Sequence, residues 1–243
     1  MILANVRSRL DRKDAQLVVR LIALGDAHAH EEVERLLADR GLDPLLDDPR
    51  LLRALLESRQ GACASLPLFC YVVVRHALRE AGEDDRMLAD YVAAIVLHFG
   101  IRDRATRVGD ADDERYDTLA GLLAAIDTSD VRRSFLVRAH LGNYALWLSG
   151  LFPDRVEQLR WRRGGPDLDY YEALGRRGFR LASDHRLAQE YGLGGLYDAV
   201  AARFGVVRCA LNRVSDRLLF PHRHSPERLM RQVRDEVRFR LAS

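Results

Sequence analysis

The chain has 243 residues, 48% hydrophobic and 30% charged, with a formal net charge of +2. That composition supplies both a core and a solvated surface, and it excludes a disordered chain, a collagen-like repeat and a disulfide-stapled miniature. Lys13 is the sole lysine among the 38 basic residues, and it follows Leu10-Asp11-Arg12 with no glycine-rich loop before it. Schiff-base chemistry and a phosphate-gripping P-loop lysine are therefore excluded.

In chain order, the hydrophobic spacing predicts helices over 13–24, 28–40, 49–59, 65–81, 85–99, 114–126, 130–149, 154–162, 168–191, 195–219 and 226–241. Asp48-Pro49 is a cap followed by proline at the first helical position, and Leu51, Leu52, Leu55 and Leu56 then mark one face. Tyr71-Val72-Val73-Val74 and Val206-Val207 favour strand on propensity, but each lies inside a longer run with helical continuation. The polar stretch from Ile101 to Asp113 reads as a loop, and Arg162-Arg163-Gly164-Gly165-Pro166 as a second break. Asp84, Asp112, Asp154 and Asp167 stand where helices begin, and Ser225-Pro226 repeats the start signal before Leu229, Met230, Val233, Val237 and Leu241. Hairpin signals are absent. The expected fold is an all-α multi-helix bundle of roughly ten helices with no significant sheet. One helical domain over 1–243 is expected, with an N-terminal subregion (1–60), a core bundle (61–224) and an amphipathic C-terminal helix (225–243).

Charge divides unevenly, with 20 basic and 24 acidic residues in 1–150 against 18 basic and 12 acidic in 151–243. The asymmetry suits docking of one half on the other. The basic excess is modest and interleaved with acids, which argues against a nucleic-acid footprint. Cys63, Cys70 and Cys209 are an odd number with no C-x-x-C pair. No uncharged stretch exceeds the 15 residues of 139–153, short of the roughly 20 of a transmembrane helix. With no apolar leader after Met1, the expectation is a cytoplasmic protein with reduced thiols.

The dense catalytic motifs are missing: no Glu-x-x-His pair, no His-Glu-x-x-His, no Gly-x-Ser-x-Gly elbow, and Gly192-Leu193-Gly194-Gly195 has no strand before it. The i, i+2 pairs His28/His30 and His222/His224 supply two ligands each, where a structural zinc takes four. No catalytic residue, metal site or cofactor is expected. Arg75, His76, His98, Arg138, His140 and Asn143 lie within apolar helices, so they form either a structural polar network or, if they converge, a site for an anionic small molecule. Asp169 and Glu172 suit the positive end of a helix, and Tyr171, Leu174 and Gly178 form a stripe for close packing. The last helix sets arginines 228, 231, 234, 238 and 240 against Glu227, Asp235 and Glu236, and is expected to dock on its own bundle, helped by the acidic balance of 1–150. The leading reading is a non-enzymatic interaction or scaffold protein that binds a protein partner or itself. Its alternatives are the His/Arg ligand pocket, as a binding protein or enzyme, and a basic C-terminal region lying on nucleic acid or acidic lipid.

Overall fold

A computed structural model describes residues 1–101, 103–109, 114–126 and 129–242, with backbone alone for 238–242. Among the described residues the chain is all-α, with no strand. Its helices are α1 (Arg12–Ala23), α2 (Ala27–Arg40), α3 (Asp43–Leu46), α4 (Pro49–Glu57), α5 (Leu66–Glu80), α6 (Arg86–Phe99), α7 (Leu119–Ala124), α8 (Val131–Leu151), α9 (Pro153–Arg163), α10 (Leu168–Ser183), α11 (Arg186–Glu190), α12 (Gly194–Val214) and α13 (Pro226–Ala242). No described helix is long and apolar enough to cross a membrane. The chain gathers into two compact units. One comprises Ile2–Glu80 and Asp84–Leu97, the other Met1, Ala81–Glu83 and His98–Ser243.

In the N-terminal unit, α1 opens with a capping box. The Asp11 carboxylate accepts from Lys13 N (2.8 Å) and Asp14 N (3.0 Å), and Asp14 accepts from Asp11 N (3.2 Å). The face carrying Leu17, Val18, Leu21 and Ile22 is buried, and α1 packs on α2, α3 and α4. The four residues of α3 are too few for a hydrophobic period, so the spacing misses this helix. The Asp48 cap of α4 forms as expected, but the helix stops at Glu57 rather than 59. A 3-10 turn follows in which Gly61 passes so close to the Leu55 carbonyl that a side chain has no room. The β-branched run of α5 is helical and buried. At α6 the cap is Asp85, which accepts from Met87 N and Leu88 N; Asp84, expected to start this helix, pairs with an arginine instead.

The C-terminal unit is built around α8, α10 and α12, which pack on one another. The Gly178 site lies against the α8 backbone, where an added Cβ would stand 2.7 Å from Gly142 N. A Cβ at Gly142 would in turn meet the Phe179 ring at 2.8 Å, so the helices cross nearly backbone to backbone. Three expected boundaries differ. Helix 114–126 contracts to α7, because the Thr118 hydroxyl accepts from Gly121 N (3.1 Å) and fixes the start there. Helix 168–191 breaks at 184–185, where His185 Nδ1 accepts from Leu187 N (3.2 Å) and caps α11. Helix 195–219 ends in a π turn over Ser215–Leu219. The expected helix start at Asp112 lies outside the described residues.

Candidate functional site

The six polar residues singled out in the sequence divide between the units, and the structure commits most of them to local partners. In the N-terminal unit Arg75 is 1% exposed. Its Nε and Nη2 donate to Asp47 (2.7 and 3.1 Å), and Nη2 also reaches Asp84 (2.5 Å). Arg86 adds a third contact to Asp47 at 2.6 Å. Burial pushes the Asp47 carboxyl up, but Arg75 and Arg86 together outweigh it and hold the group below the usual carboxylate range. His76 Nε2 lies 3.0 Å from the Leu46 carbonyl, which can only accept, so Nε2 carries the proton. Burial holds this imidazole below the ordinary histidine range.

In the C-terminal unit, Arg138 Nη1 donates to the Leu181 carbonyl (3.3 Å), whereas His140 Nε2 donates to the Ala105 carbonyl (2.9 Å). These two side chains of α8 thus leave the helix toward different segments. His98 and His140 both flank the Phe99 ring, and Asn143 is buried. His140 also begins a ladder of rings, through Tyr144, Trp147 and Phe152, that ends at Phe220. The ladder runs from buried His140 and Tyr144 to half-buried Trp147, Phe152 and Phe220, and the Phe220 carbonyl stands at the foot of α13.

A denser polar construction joins α8, α12 and α13, and the sequence reading missed most of its members. The last carbonyls of α8 have no partner within their own helix. Asn212 Nδ2 donates to the Ser149 and Gly150 carbonyls (both 2.7 Å), and Ser215 Oγ to that of Leu151 (2.7 Å). Arg208 holds the Asn212 amide in place through Nη1 (2.8 Å), and itself pairs with Glu172 and Asp235 (3.3 and 2.9 Å). Burial, its largest influence, disfavours the Arg208 charge, but the surrounding carboxylates outweigh it and raise the pKa.

From this base α13 docks by its charged face. Arg228 and Arg231 are 5% and 1% exposed. Arg228 grips Asp154 through Nε (3.0 Å) and Nη2 (2.5 Å), and its Nη1 donates to the Phe220 and Arg223 carbonyls (2.8 Å each). Arg231 Nη2 donates to Asp216 (2.7 Å), Gln232 supports the other Asp216 oxygen (2.9 Å), and Arg234 reaches Glu157 (3.2 Å). The opposite face holds Leu229, Met230, Val233 and Val237, each at least half exposed. This inverts the usual arrangement, in which the apolar stripe faces the core. The expected self-docking of this helix is present, but its acidic partners Asp154, Glu157 and Asp216 come from the basic half rather than from 1–150.

A groove of about 510 Å³ opens beside α13 between α9 and the 222–225 turn, with Trp161, His222 and His224 on its walls. Trp161 is exposed and carries the Arg160 guanidinium over its ring at 5.6 Å. At the other end of the chain, His28 sits in the first turn of α2 and His30 pairs with Glu34 at 3.3 Å. Among the described residues no three His, Cys, Asp or Glu side chains stand close enough to share an ion.

Burial pushes the Cys209 thiol to about 12 and that of Cys70 to about 11, so neither is a ready nucleophile. The Ser149 and Ser215 hydroxyls donate to backbone carbonyls. Asp154 and the last helix's arginines stand out in the sequence, and Arg208 is an arginine inside an apolar run; Asp216 and Asn212 lie inside a long predicted helix with nothing to set them apart. No protein-family model, no curated protein and no solved structure matches the chain.

Proposed function

We propose that the protein is a non-enzymatic interaction module that presents the outer face of α13 to a protein partner. The observation that carries this reading is the inverted helix, with arginines buried against Asp154 and Asp216 and four apolar side chains turned outward. A stripe at spacings of three and four is how an amphipathic helix engages an apolar groove or another helix. The inward turn of Arg228 and Arg231 spends on carboxylates two of the charges that a phosphate-binding surface would need, which supports a protein partner over nucleic acid or acidic lipid. The odd, unpaired set of cysteines supports a cytoplasmic setting.

A photo-cross-linking residue placed at Val233 in living cells tests the reading. It is expected to give adducts with protein, lost when Met230→Asp is added. Absence of any protein adduct at 233, or a stoichiometric small ligand retained through purification, would contradict it.

A further inference from the structure

Resting on that reading, the geometry points to a second copy of this chain as the occupant of the α13 face, laid antiparallel across a two-fold axis. The charge pattern at the stripe's edges selects this occupant. On a helix of 3.6 residues per turn, Met230, Val233 and Val237 form a seam in which 230 and 237 take one heptad core position and 233 the other. Glu227 and Arg234, seven residues apart, then share one flank, while Leu229 and Glu236 share the other. All four are exposed.

Set two such helices antiparallel with Met230 of one copy opposite Val233 of the other. Glu227 then falls beside Arg234 of its mate, and by symmetry Arg234 falls beside Glu227. The other flank brings Leu229 against the aliphatic stem of Glu236. Each copy supplies the acid of one ion pair and the base of the other, as a two-fold interface requires of a single surface. A parallel pairing would instead set Arg234 beside Leu229 of its mate and leave Glu227 without a basic partner across the seam. Arg234 is half exposed, and its bond to Glu157 uses one Nη2 contact, so its remaining N–H groups can serve a second carboxylate. An anionic lipid surface fits less well, because Glu227 and Glu236 border the stripe on both sides.

One helix of 17 residues offers a short seam, so the association is expected to be weak, with a Kd on the order of 10 μM. Sedimentation velocity of the full chain from about 1 to about 100 μM should show one copy passing to two. Val233→Asp and Glu227→Arg should each weaken this at least about 10-fold, with the helical circular dichroism retained. In a Cys63→Ser background, a mixture of Leu229→Cys and Glu236→Cys chains should form a disulfide-linked pair, whereas neither alone does so through these positions. A monomer at every concentration, a dimer indifferent to Glu227→Arg, or co-sedimentation only with phosphatidylserine vesicles would overturn the proposal. Peroxide oxidation of Met230 at the lowest concentration separates the two readings. Fast oxidation in a chain that stays monomeric defeats only the second copy, and slow oxidation in the monomer defeats the outward face itself.

Discussion

The α8–α10–α12 core and the α13 shelf belong to the same compact unit yet are held by different forces. In the core, Gly142 and Gly178 let two helix backbones nearly touch, and Phe179, Phe204 and Tyr197 are sealed from solvent. That contact is dispersion and apolar burial, dense and intolerant of added volume. The shelf is held by guanidinium–carboxylate pairs that must offset the desolvation of each ion. Burial of charge is a poor way to gain stability, but here it leaves an apolar face free. The contrast shows that a helix can dock on its own domain and still keep its apolar stripe for something else.

The largest expected effect comes from breaking the shelf. Asp154→Ala removes the main carboxylate of Arg228, which keeps only a 3.4 Å contact to Asp216 and two carbonyls, and should weaken α13 docking by up to about 3–5 kcal/mol, the cost of removing one partner of a buried ion pair. Hydrogen exchange should show α13 amides losing protection while α8 and α10 keep theirs. Next comes the core: Gly178→Ala forces α8 and α10 apart and should lower the stability of the whole unit by about 1–3 kcal/mol in denaturant melts, α13 following it. If Gly178→Ala released α13 alone, the distinction between the two regions would fail.

A smaller effect is expected away from both regions, at His76. Its folded pKa is lowered by burial, so the folded chain resists a proton that the unfolded chain accepts below about 6.5. Stability at His76 is therefore whole above that pH and falls as pH drops through it, by at most about 1.4 kcal/mol per pH unit. Melts at pH 7.5 and 5.5 should show the loss, and His76→Gln should remove this contribution. Asp47, whose folded pKa is depressed, adds a further loss only as pH falls below about 4. The smallest effect belongs to the outer stripe. Val233→Ser should change the monomer's stability by no more than about 0.5 kcal/mol, because the side chain is half exposed.

Helix positions followed from local chemistry wherever a cap and a period coincide, as at Asp48-Pro49 and Asp167. They failed where a single side chain intervened: Thr118 delays α7, and His185 splits one predicted helix into α10 and α11. The last helix is the more instructive case. Its stripe and its arginines are plain in the sequence, but which face turns inward depends on Asp154 and Asp216, carboxylates 74 and 15 residues away. No local pattern encodes that choice. Likewise Asn212 is unremarkable in a helical run until the end of α8 arrives beside it with three carbonyls to satisfy.

Hydroxyl-radical footprinting of the dilute chain tests the orientation of α13 most directly. Leu229, Met230, Val233 and Val237 should be modified at the rates of open side chains, while Val156 and Leu211 of the same unit stay protected. Protection of the four α13 residues in the monomer, equal to that of Val156, would contradict this orientation.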